Sequence, residues 1–159
     1  MGAYVYHTLA ASGEVKDVSV TSPSPGEVRV TVLSIDEKGV PDAALLQAVT
    51  ERLNHEAIRP LTDHITVQAA DIIEYHISAY LTFYPGPDKS VVAEQSRIKV
   101  TEYATQQHQL GFDVTLSGLY AALHQPGVQN VRMTSPTEDI LVRAHQAAFA
   151  ITIHVSEGG

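Results

Sequence analysis

Glu74 and His76 stand two residues apart in an alternating run, and His64 lies in the segment just before it. A carboxylate and an imidazole at i and i+2 of a strand share one face. With a third ligand they could hold zinc for metal-assisted hydrolysis. Such a site needs three or four converged ligands with hydrogen-bonded support behind them, whereas two polar side chains on a solvent-facing strand are ordinary surface, and the surface reading is the stronger. Asp63-His64 could act as an acid–base pair, but ahead of a strand Asp63 is expected to satisfy turn backbone N–H groups. His7, His108, His124 and His145 are isolated and are read as surface or satisfied interface residues.

Other chemistry lacks its parts. The chain has no cysteine, which removes thiolate nucleophiles, disulfides and thiolate zinc sites together. No G-x-S-x-G occurs, and Ser12-Gly13 and Ser117-Gly118 sit where caps and turns belong. The glycines form neither a Walker loop nor G-x-G-x-x-G. No catalytic, cofactor-binding or metal residues are assigned and no cofactor is expected, so the residues point away from an enzyme.

Composition sets the class. Of 159 residues, 44% are hydrophobic and 18% charged, enough for a core and too apolar for a disordered tail. A chain of this size buries about 70% of its unfolded surface. The formal net charge is −8, and the few Lys and Arg form no stripe, so no nucleic-acid partner is expected. An acidic surface is repelled by anionic membranes, and no apolar run approaches the roughly 20 residues of a spanning helix, so no membrane partner is expected either. Protonating all eight histidines would bring the formal charge to zero, which predicts a solubility minimum in mild acid.

The elements follow from periodicity. Residues 3–11 read as a short helix with no N-capping side chain before it. Met1-Gly2 ahead of it reads either as a start placed before a segment cut from a longer chain or as a frayed natural end. Val18 and Val20, then Val28, Val30 and Val32, alternate with polar residues across Ser22-Pro23-Ser24-Pro25-Gly26, a hairpin pattern. Gly39-Val40-Pro41-Asp42 opens a helix whose stripe is Leu45, Val49 and Leu53, with Glu51–His55 and Arg52–Glu56 outward, ending before Pro60.

From His64 to Tyr84 the alternation persists for so long that one strand would exceed about 60 Å, so a bend near Ala70-Asp71-Ile72 is required. Tyr84-Pro85-Gly86-Pro87-Asp88 then stops the strand and starts a long, weakly amphipathic helix over 88–109, followed by a shorter one near Thr115–His124. Strands are expected at Val128–Met133 and through Phe149, Ile151, Ile153 and Val155. Tyr75 and Phe83 fit the core, whereas Tyr80 and Tyr84 face outward beside Pro85-Gly86-Pro87. That outward face is either an assembly interface or, slightly favoured, one that the long helix covers.

Val15–Pro23 echoes Val128–Pro136, each after a short helix and a glycine. The fold expected is α+β: two related helix–strand–hairpin units with mixed or antiparallel sheets covered by helices. Residues 1–60 form the first unit and 61–159 the second, or the two form one continuous domain.

Arg59-Pro60-Leu61-Thr62-Asp63-His64-Ile65-Thr66-Val67-Gln68-Ala69-Ala70 resembles the central R-P-L-T-D-x-V-x-V segment of baseplate J-like proteins of contractile-tailed bacteriophages. Tyr84-Pro85-Gly86-Pro87 and Asp113–Val128 are similar to that family's later motifs. The resemblance runs from the first helix to the last strand, and its specificity lies in the order and spacing of the motifs. It implies a structural wedge component of the tail baseplate in the virion, assembled in the host cytoplasm. It also implies other wedge and hub proteins as partners and self-association in a ring. Family members are usually longer, with an N-terminal part absent here. The family carries no catalytic residues to transfer. A metal-assisted hydrolase using His64, Glu74 and His76, and a small-ligand regulatory domain of ferredoxin-like type, are the alternatives.

Overall fold

The structure, a computed structural model, describes residues 2–55 and 63–158. Four helices and six strands alternate irregularly along the described chain, an α+β fold. Two compact units result, one of residues 1–72 with 109–111 and 143–147, the other of 73–108, 112–142 and 148–159.

The first unit contains α1 (Gly2–Ala11), β1 (Val15–Thr21), β2 (Glu27–Ser34), α2 (Ala43–Leu53) and β3 (His64–Ala69). Prolines at 23 and 25 end β1, and the Ser22 hydroxyl donates to the Glu27 carbonyl at 2.8 Å, closing the expected hairpin. β2 pairs antiparallel with β1 and parallel with β3, giving a mixed sheet ordered β1-β2-β3. Asp42 caps α2, accepting from the Leu45 N–H at 2.8 Å. The stripe Leu45, Val49 and Leu53 is buried against Tyr4, Val15, Val28, Val30 and Val32. Val49 and Leu53 are fully buried, each burial stabilising the unit by about 2 kcal/mol. Glu51 is exposed as expected, but Arg52 is half-buried, because its guanidinium reaches His7 of α1. Pro60, the residues 59–62 of the R-P-L-T-D segment and Glu56 lie outside the described residues.

β2 departs from simple alternation: Thr31, Leu33 and Ser34 are as buried as Val30 and Val32. Leu33 joins a small second cluster with Ala70, Leu110 and Ala147, so the second half of this central strand is covered on both faces. The expected bend falls at Ala70. β3 ends at Ala69, β4 begins at Asp71, and Asp71 itself is exposed.

The second unit contains β4 (Asp71–Phe83) from Ile73 onward, α3 (Lys89–Gln106), α4 (Leu116–Leu123), β5 (Val128–Ser135) and β6 (Gln146–Glu157) from Ala148 onward, the first two residues of β4 and of β6 belonging to the first unit. The sheet order is β5-β4-β6, with β5 antiparallel to β4. β5 and β6 therefore flank β4 and do not form a hairpin with each other. Tyr75, Ile77, Ala79 and Leu81 of β4 pack under α3 and α4. The face of α3 that meets them is built from small side chains (Ala93, Ser96, Ala104) with Val92 and Val100, leaving Val91 and Ile98 exposed. Close packing is bonded as well as filled: the buried Ser96 hydroxyl donates to the Leu123 carbonyl at 2.7 Å. Gly118 lies inside α4 and is neither a cap nor a turn; a Cβ there would collide with the Tyr103 ring and hydroxyl. In β6 the core is met by Ala148, Ala150, Ile153 and Val155, while Phe149 packs edge-on against His108. His108 is buried at 6% exposure and is not a surface residue.

The echoed segments adopt the same local structure. β1 is bulged at Lys16, because Val15 and Asp17 pair with the successive residues Ser34 and Leu33. β5 is bulged at Gln129, because Val128 and Asn130 pair with Phe83 and Thr82. A bulge inserts one residue and resets alternation, which is why Val15 with Val18, and Val128 with Val131, turn inward despite opposite parity.

Candidate functional site

β4 presents its odd-numbered residues to α3 and α4 and its even-numbered residues away from them. On that outer face Tyr80 is 37% exposed and Tyr84 52% exposed. The long helix thus leaves this face uncovered, contrary to the favoured expectation, because its small-residue stripe fits the opposite face. Tyr84 extends the ladder beyond β4, its N–H donating to the Gly127 carbonyl at 3.0 Å. Pro85, Gly86 and Pro87 follow, all exposed, and Gly86 takes φ +122, a conformation that favours glycine. Asp88 ends the turn by capping α3, and hydrogen bonds from Ser90 hold its carboxyl below the usual carboxylate range.

Arg132 is the cross-strand partner of Tyr80, and its guanidinium carbon sits 5.4 Å from the ring centroid. This is cation–π distance. Arg132 is the residue sequence reasoning missed on this face. Its signal was present, since Arg132 is the only basic residue of β5, but the pairing that sets it over Tyr80 is non-local.

The residues considered for metal chemistry are placed otherwise. His64 is exposed on β3 in the first unit, while Glu74 and His76 lie exposed on β4 in the second. The His76 Nδ1 is 2.8 Å from the Thr152 hydroxyl of β6. Among the described residues no group of three or more His, Asp or Glu is arranged to hold a metal ion. Asp63 accepts a hydrogen bond from the Tyr4 hydroxyl, so it ties α1 to the start of β3 where a turn cap was expected. His145 lies with its Nε2 3.6 Å from the Asp71 carboxylate. His124 is exposed.

In the first unit an open depression of about 550 Å³ is lined by Ala11, Ala48, Glu51, Arg52 and His55. Arg52 Nη2 is 3.1 Å from His7 Nδ1, and Arg52 Nε is buried without a hydrogen-bond partner among the described residues. Among the described residues the groove offers a cation, a carboxylate and imidazoles, with no nucleophile beside them.

Comparison with known proteins adds to the geometry. The family model described as the baseplate J-like central domain matches residues 1–69, and that of the baseplate J-like protein C-terminal domain matches residues 75–156. The gap between them holds the break between β3 and β4. Over all 159 residues the chain is 46% identical to "Baseplate protein J" of Escherichia phage P2, and it spans 53% of that protein, about half its length. The cryo-EM structure of the anti-feeding prophage baseplate, 6-fold symmetrised, contains a chain similar in fold, with a TM-score of 0.62 at 16% identity. The match covers 92% of this chain and 36% of that one.

Proposed function

The chain belongs to the baseplate J-like family, and we propose that it is a structural part of a phage tail baseplate, acting by packing against neighbouring proteins without turnover. The observation that carries this reading is the succession of the family's central and C-terminal domains along the chain. The identity to the P2 protein named for the baseplate supports it, as does the fold shared with a chain of a prophage baseplate. On this reading the chain resides in the virion tail and enters it from the host cytoplasm. Its partners are the other wedge and hub proteins of the baseplate, together with further copies of itself around the ring.

The exposed Tyr80, Tyr84, Pro85, Gly86 and Pro87 are the assembly interface in this proposal. Large aromatic side chains left on an open sheet face, with a Pro-Gly-Pro turn beside them, suit a contact made at low ordering cost. The test is complementation: phage encoding a version truncated before residue 60 should yield no contractile tails by electron microscopy. Normal tails from that truncation would remove the proposal.

A further inference from the structure

We propose that Tyr80, Arg132 and Tyr84 form a docking platform for a carboxylate-bearing segment of a neighbouring protein, with Arg132 receiving the carboxylate. This rests on the outer face of β4 being an assembly interface and names what that interface binds. The chain carries a net charge of −8, yet from residues 75 to 83 of β4, along the whole of β5 and from 146 to 156 of β6 the only formally charged residue is Arg132. Around Tyr80 the sheet is neutral apart from this one cation, the carboxylate of Glu74 standing six residues back along β4, and in an acidic molecule this local cation is complementary to a partner's acid.

Two cations in the body of α3 differ from Arg132. Arg97 pairs with Glu94 and Lys99 with Glu102 on α3, whereas no ion pair among the described residues engages Arg132. What holds Arg132 instead is the Tyr80 ring, 5.4 Å from its guanidinium carbon. A guanidinium lying over an aromatic ring keeps its edge N–H donors free, and their planar fork fits a carboxylate in bidentate geometry. Holding the side chain on the ring before binding also lowers the ordering cost of the contact. Tyr84, 52% exposed next to the Pro-Gly-Pro turn, supplies the apolar half of the platform.

The experiment compares Arg132→Glu, Arg132→Lys and Tyr84→Ala in phage carrying the full-length gene, reading intact tails per particle by electron microscopy. A fourth version carries a benzophenone amino acid at position 84 for photo-crosslinking and peptide mapping. Each purified protein is first melted, and all should unfold with the wild type because these side chains are exposed. Arg132→Glu is expected to lower tail yield at least about tenfold, and Arg132→Lys by less, since charge is kept and the fork is lost. The crosslink should map to a peptide of another baseplate protein containing Asp or Glu. Wild-type yield for Arg132→Glu with loss for Tyr84→Ala would overturn the carboxylate assignment and leave the interface standing. Wild-type yield for all variants would remove both. A crosslink to a second copy of this chain would overturn the choice of partner.

Discussion

The hydroxyl of Tyr4, on the buried side of α1, donates a hydrogen bond to the Asp63 carboxylate at the entrance to β3. Fifty-nine residues separate the two, so this bond fastens the first helix of its unit to the last strand. A hydrogen bond to a charged acceptor is worth about 1.5–3 kcal/mol. Tyr4→Phe should therefore lower the denaturant stability of the chain by about 1.5 kcal/mol with little change in the slope of the transition. Unchanged stability would mean that the contact holds nothing.

Tyr103 leans over α4 where Gly118 has no side chain, and its hydroxyl accepts from the Thr115 N–H at 3.1 Å. Gly118→Ala gains helix propensity, worth about 1 kcal/mol, yet must push the ring away. Overpacking of this kind costs about 1–3 kcal/mol, and the half-buried ring can retreat only by giving up the hydroxyl's bonds to Thr115. The substitution should lower the melting temperature, and Tyr103→Ala in the same chain should remove most of the penalty of the added methyl. A raised melting temperature for Gly118→Ala alone would contradict the packing described.

Tyr75 is buried with its hydroxyl lacking a hydrogen-bond partner among the described residues, and burial, reinforced by the nearby Tyr103, pushes its pKa up to about 12. The folded state favours the neutral phenol, so the associated stability is complete below the unfolded value of 10.0 and is lost as pH rises through about 12. Tyr75→Phe should flatten that alkaline loss in urea titrations and leave neutral-pH stability equal or higher, since it removes an unpaired buried polar atom. A destabilising Tyr75→Phe would show that the hydroxyl has a partner.

The −8 charge and eight histidines give a fourth expectation. As imidazoles protonate, self-repulsion falls, and solubility should pass through a minimum in mild acid. Uniform solubility from neutral to acid pH would contradict it.

Sequence showed the local features and hid the non-local ones. The α2 stripe Leu45, Val49, Leu53 and the break at Ala70 were legible because a helix repeats every 3.6 residues and a strand has a limited length. The parallel pairing of β3 with β2 and the order β5-β4-β6 were not, since alternation tells which face a residue takes and not which strand lies beside it. The bulges at Lys16 and Gln129 hid the inward turn of Val15 and Val128 for the same reason. The buried face of α3 escaped notice because Ala93, Ser96 and Ala104 carry little hydrophobic signal. Tyr80 and Tyr84 were named correctly as outward-facing, and Arg132 beside them could be found only once β5 was placed.

The central claim, that this chain is built into a baseplate, is tested most directly by cryo-electron microscopy of tails carrying a compact tag after residue 158. The proposed role predicts tag density repeated around the baseplate ring and on no other part of the tail. Intact, infectious tails in which the tag is absent from the baseplate would contradict it.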